Sequence, residues 1–263
     1  MVKKLQKNSY YKKTAKANIS KQSSDLMLVG VGTMIASAIL GIATASVASF
    51  FIAGAIEYGV YKVFYLNSIG EKIMPVQALH GFKDKYGDSF IAGFVTELLR
   101  AIPKWLRILT LISTLFSVLT FLNIADFGQS DKYINLGEGL SVVTMLISLL
   151  AYIVLLQYSM AQYILLREQD TQALHALRKS RMMMSGYVFK YFALRLSFIG
   201  WAMLASLTLG ISNIYSKAYF YASEVAFFND VYEAFKDDES GQEILSSMQD
   251  DEEDNTIGGI YIG

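Results

Sequence analysis

The sequence predicts an all-α fold: a polytopic bundle of about six membrane-spanning helices, with amphipathic helices lying at the membrane surface. Three observations carry that expectation. Apolar residues make up 53% of the 263-residue chain and charged residues 17%, against roughly 25% charged in a typical soluble domain. The charges cluster at the ends and in a few connecting segments, leaving long stretches almost uncharged. Several of those stretches reach the ~20 residues that cross a hydrocarbon core once.

A formal net charge of zero hides a strong polarity along the chain. Residues 1–25 are lysine-rich and read as a basic cytoplasmic segment, residues 26–235 as the transmembrane helical domain, and residues 236–263 as an acidic, disordered tail. Cysteine is absent, which excludes disulfides, thiolate metal sites and cysteine catalysis together. Lysines followed by an apolar run ending at Ala43, Thr44 and Ala45 imitate a secretory signal. That reading is rejected, because the basic region is too long and a second apolar run begins at once at Val47.

Taken in order, the apolar tract 25–66 is interrupted only by Glu57 and Lys62 and is too long for one crossing. It predicts a tight hairpin, with helices at 26–43 and 47–66 and a turn at 44–46; a single long tilted helix is the competing reading. Gly30, Gly32, Gly41, Gly54 and Gly59 are expected to let helix backbones approach closely. Segment 67–104 mixes charges with Phe90, Phe94, Val95, Leu98, Leu99 and Ile102 at helical spacing, the pattern of an interfacial amphipathic helix, and Pro103 marks a break. The third crossing is expected at 105–122 and the fourth at 139–166, joined by a loop at 123–138. A polar connector at 167–181 sets Leu174, Leu177 and Met184 beside Arg178, Lys179 and Arg181. The fifth crossing follows at 188–209, and the sixth, more aromatic, at 214–232.

Positive residues in short loops stay in the cytoplasm. Lys3, Lys4, Lys7, Lys12, Lys13, Lys16 and Lys21 therefore put the N-terminus inside. Segments 67–104 and 167–187 fall on the same side and are rich in Lys and Arg, whereas 123–138 holds only Lys132. Both termini are expected in the cytoplasm of a multi-pass protein of the cell membrane. The same seven lysines are candidate contacts to anionic lipid headgroups, each basic residue near the leaflet contributing about 1 kcal/mol. Nucleic acid is not an expected partner, since no ordered reading element accompanies the charge. Another membrane protein or a second copy of the chain is.

Further along stands the string Ala176-Leu177-Arg178-Lys179-Ser180-Arg181-Met182-Met183-Met184-Ser185-Gly186, then Leu194-Arg195-Leu196-Ser197-Phe198-Ile199-Gly200-Trp201 and Leu207-Thr208-Leu209-Gly210-Ile211. This resembles an uncharacterised family of integral membrane proteins from Gram-positive bacteria, a domain of unknown function. Its members carry A-x-x-x-S-x-x-x-M-x-G before L-S-F-I-G-W. Gln157-Tyr158-Ser159-Met160 and Ala226-Phe227-Phe228 look like further landmarks, and the resemblance spans 26–231. Two departures stand out: Arg195 replaces a commonly acidic residue, and the proline-tyrosine pair usual near Ile214-Tyr215 is missing. The resemblance implies a membrane fold and no activity.

Charged residues within spans are costly and are functional candidates by default. Glu57, Arg195, Lys217 and Glu224 qualify, with Tyr215 and Tyr219 beside the last two on one helix. In the functional reading they line a polar path, Glu57 or Glu224 exchanging a proton with Arg195 as counter-ion. In the structural reading Arg195 and Lys217 snorkel toward opposite interfaces and the glutamates pair internally or lie near helix ends. His80 and His175 lack metal-ligand spacing, so no metal and no cofactor are expected. Neither a nucleotide-binding loop nor a nucleophile elbow occurs, and Met182, Met183 and Met184 read as an adaptable apolar surface. The expected function is non-enzymatic: a transporter-like or accessory membrane component handling a small or amphipathic solute, such as a peptide or lipid. The alternative is a structural or interaction protein, such as a stress, assembly or self-immunity factor.

Overall fold

The structure, a computed structural model, describes residues 4–42, 47–82, 87, 91, 130–168, 171–208 and 210–237. The expected third crossing at 105–122, nearly all of the expected amphipathic helix at 90–102 and the acidic tail from 238 on lie outside the described residues, as do Lys3 and the turn at 43–46. Every regular element among the described residues is helical, and none is a strand. The chain forms two compact units, Met1–Phe94 with Gln157–Gly263, and Val95–Leu156.

In the first unit, α1 (Asn8–Lys21) buries Tyr11, Ala15 and Ile19, a stripe at four-residue spacing that leaves Lys13 and Lys16 exposed on the opposite side. It leads through Gln22 into α2 (Ser23–Ile42), which is followed by α3 (Val47–Ser68). The Gln22 amide clasps the far end of α3. Its Nε2 donates to Asn67 Oδ1 at 3.3 Å and to the Glu71 carbonyl at 2.8 Å, while its Oε1 accepts from Ile73 N at 2.8 Å. The start of α2 and the end of α3 therefore meet, so the tract is an antiparallel hairpin and the single long helix is excluded.

A 3-10 helix, Pro75–Phe82, lies across α3. Gly59 permits this approach: a Cβ there would lie 1.8 Å from the Ala78 carbonyl oxygen. Gly30 plays the same part against the Ile214 carbonyl, at 2.8 Å, whereas Gly32 faces open space. Small residues thus serve as close-approach points at two of the expected glycines and not at a third.

The segment expected as one long crossing at 139–166 is divided. In the second unit, α4 (Ser130–Leu155) has 26 residues, about 39 Å at 1.5 Å per residue, and it begins inside the expected loop. Val142, Met145, Leu146 and Leu150 on it are exposed. A 3-10 turn, Leu156–Tyr158, then leads to α5 (Ala161–Arg167). The break is held by Ser180, whose hydroxyl donates to the Gln157 carbonyl at 2.7 Å and accepts from Met160 N at 3.2 Å. Both backbone groups would otherwise go unpaired in the interior.

α6 (Ala173–Met184) buries Leu177, Ser180, Met183, Met184 and, unexpectedly, Lys179, while Leu174 is exposed. The apolar face of the connector is thus rotated from its sequence reading, and two of the three methionines are core. The expected fifth crossing is also interrupted, into α7 (Val188–Leu196) and α8 (Ile199–Leu207), with a turn at Ser197 and Phe198.

The last helix, α9 (Asn213–Lys236), is the hub of the first unit, touching α1, α2, α3, α6 and α8. It runs antiparallel to the α1–α2 stretch. Gln6 N and the Tyr11 hydroxyl both donate to Asp230 Oδ2, at 2.8 and 2.6 Å. The Tyr11 ring meets Phe227 edge-on at 5.4 Å, and Gly30 lies against Ile214. Among the described residues, two stretches, Val142–Arg167 and Val188–Ala205, are long and apolar enough to cross a membrane. α9 is not among them.

Candidate functional site

Three side chains from two helices converge on one carboxylate of a third. Glu224, fully buried on α9, accepts from the Tyr191 hydroxyl through Oε1 and from the Tyr163 hydroxyl through Oε2 at 3.2 Å. Arg195 approaches Oε1 at 3.4 Å and donates through Nε to the Tyr191 hydroxyl at 3.0 Å. Helix periodicity explains the arrangement: Tyr191 and Arg195, four residues apart on α7, share a face, while α5 presents Tyr163 from another side.

Aromatic rings close the cluster. Tyr191 stacks on Phe227 at 5.3 Å and Tyr163 on Phe228 at 5.2 Å. The Arg195 guanidinium sits 5.0 Å from the Tyr191 ring and 5.1 Å from that of Phe220, near enough for cation–π attraction. Arg195 is 23% exposed and Glu224 0%, so the pair is asymmetric: the acid is sealed and the base reaches outward. Removing a charge from water costs several kcal/mol unless partners replace its hydration, and here two hydroxyls and a guanidinium do so.

Of the residues singled out by sequence, Arg195 and Glu224 are brought together. Tyr215 and Tyr219 instead join Trp201, at 5.6 and 6.1 Å between ring centroids, in an aromatic group that meets the cluster through Phe198 and Phe220. Lys217 is half-buried and forms no ion pair among the described residues. Glu57 is half-buried on α3, one turn before Tyr61, whose ring packs on Tyr163 at 4.8 Å. The two donors Tyr163 and Tyr191 were missed, because a tyrosine in an apolar stretch reads as core or interface. The signal that finds Tyr191 is its four-residue offset from Arg195.

A second cluster lies at the end of α9. Glu168 accepts from Lys179 Nζ at 2.5 Å, from the Tyr232 hydroxyl and from the Thr171 hydroxyl at 3.2 Å. Arg167 pairs with Glu233 at 2.5 Å and covers the Tyr232 ring at 3.9 Å. These contacts clamp the ends of α5 and α9 to α6, and they account for the buried Lys179. Among the described residues, no group of three or more His, Cys, Asp or Glu is placed to hold a metal ion.

The family model for Protein of unknown function (DUF975) matches residues 4–234. The chain belongs to this family. The match takes in α1, both polar clusters and nearly all of α9. No curated protein and no solved structure matches the chain.

Proposed function

We propose that this member of the family is a multi-pass, non-catalytic accessory component of the cell membrane, which acts by packing against another membrane protein or a second copy of itself. An even number of complete crossings keeps both termini in the cytoplasm, whether or not the last pair of apolar segments crosses fully. The exposed Lys4, Lys7, Lys13, Lys16 and Lys21 then face an anionic leaflet. One observation carries the accessory reading: both oxygens of Glu224 are occupied and its surroundings are stacked rings. A satisfied, closed polar centre specifies how helices pack.

Solute transport is the second reading, favoured by Gln162, which is 3% exposed with neither end of its amide hydrogen-bonded among the described residues. An unpaired buried amide is costly and is where a polar solute would find a partner. Proteoliposomes separate the two. The accessory reading expects vesicles carrying the protein to hold a pH gradient and an entrapped amphipathic peptide as long as empty vesicles do. A protein-dependent leak of either, abolished by Glu224→Gln or Gln162→Leu in variants that remain folded, defeats it.

A further inference from the structure

We infer that α8 and the first turn of α9 form a re-entrant hairpin, which enters the bilayer from the side of the termini and turns back within it instead of completing two crossings. The inference rests on the membrane reading above and concerns how the last part of the chain uses the bilayer.

A helix with exposed lysines on one face sets the level of the segment packed on its other face. The later half of α9 lies against α1 through Asp230, Tyr11 and Phe227, and α1 exposes Lys13 and Lys16 on its other face. Lysine at the centre of a bilayer is strongly disfavoured. That half of α9, with the α1 it carries, therefore belongs outside the hydrocarbon. α7 is tied to the same level: Lys12 Nζ donates to the Ser197 carbonyl at 3.1 Å and lies 4.7 Å from the centre of the Phe198 ring. The chain is still beside the basic helix when it reaches Ser197.

Just beyond, the surface changes character. Trp201, Tyr215 and Tyr219 group together, the residue types that settle at headgroup level. Past them Met203, Leu207 and Ile211 are 64%, 82% and 69% exposed, an apolar tip with no water-seeking side chain among them. α8 has nine residues, about 14 Å of helix against a core of ~30 Å, so it stops short of the far face. The turn also settles backbone groups of its own, although the buried Ser212 hydroxyl has no hydrogen-bond partner among the described residues. The Thr208 hydroxyl donates to the Leu204 carbonyl at 2.9 Å and accepts from Ser212 N at 3.2 Å, and Gly210 N donates to the Ala205 carbonyl at 2.7 Å. Backbone that turns inside hydrocarbon must be satisfied in this way.

Because the chain has no cysteine, single-cysteine variants test this directly. Leu207→Cys, Ile211→Cys and Lys13→Cys are labelled in detergent with a small environment-sensitive fluorophore and reconstituted into vesicles of phosphatidylcholine and phosphatidylglycerol. Quenching is read from iodide on either side and from lipids carrying nitroxides at graded acyl depths. The expected result is that labels at 207 and 211 are quenched by nitroxides in the nearer leaflet and resist iodide from both sides, while the label at 13 is quenched by iodide. Iodide quenching at 211 from the side opposite residue 13 overturns the hairpin in favour of two full crossings. Loss of the protein from the vesicles in alkaline carbonate overturns the membrane reading itself, a different outcome from the first.

Discussion

At Glu224 a carboxylate without access to water depends on the three donors around it. Arg195→Leu strands that charge in the interior and is expected to lower stability by about 3–5 kcal/mol, measured by chemical denaturation in mixed micelles; an unchanged midpoint rejects the pairing. Tyr163→Phe removes a single neutral donor and is expected to cost less, about 1–3 kcal/mol. Ser180 is a parallel case in backbone terms. Ser180→Ala orphans the Gln157 carbonyl and the Met160 amide together, with an expected loss of about 1–3 kcal/mol, and Ser180→Thr should recover part of it. Sequence reading found the charged pair because ionised groups stand out against apolar surroundings. It passed over Tyr163, Tyr191 and Ser180, because hydroxyls are common in such stretches and only tertiary contact distinguishes a buried donor from an ordinary packing residue.

Tyr11 carries the pH dependence of the α1 docking. Burial first, and then its bond to Asp230, push its phenol well above the usual value of 10.0. The unfolded chain therefore releases this proton before the folded one does. The associated stability is fully present below about pH 10 and declines as pH rises beyond it. Tyr11→Phe should make the alkaline decline in the unfolding midpoint shallower, and an identical decline in the variant would dismiss the role of this phenol.

Among elements, the α2–α3 hairpin was legible because the length of the apolar tract exceeds one crossing and small residues mark its middle. The interruptions after Leu155 and at Ser197 were not. Neither contains proline, and both depend on partners distant in sequence: Ser180 for one, Lys12 for the other. The misplaced face of α6 has the same origin, since Lys179 is buried only because Glu168 and Tyr232 receive it. Gly59 and Gly32 offer a paired test of close approach. Gly59→Ala puts a methyl into the Ala78 carbonyl, and destabilisation of about 1–3 kcal/mol or more is expected. Gly32→Ala meets open space and should be neutral or slightly stabilising in a helix. Equal effects of the two substitutions would remove the packing argument for α3 and the 3-10 helix.

Across the whole molecule, the all-helical class was legible in composition, while the role of α9 was not. Its aromatic and apolar residues read as a crossing, yet its charges serve contacts: Glu224 to α7, Asp230 to α1 and Glu233 to Arg167 at the end of α5. Hydropathy averages over all sides of a helix and cannot separate a side that meets lipid from one that meets protein. The orientation expectation belongs at this scale. Reporter domains fused to either end should both be active in the form that requires the cytoplasm, and activity of one alone would imply an odd number of crossings.

The pairing of α1 with α9 joins helices far apart in the chain, 219 residues at the bond between Tyr11 and Asp230. Until Phe227 and Asp230 are in place, Tyr11 lacks its ring and carboxylate partners, and the stripe it forms with Ala15 and Ile19, edged by Lys13 and Lys16, is left largely uncovered. Closure over α1 therefore waits on α9. A chain truncated before Asn213 is expected to leave that stripe open to solvent, which faster cleavage of α1 by an added protease would register.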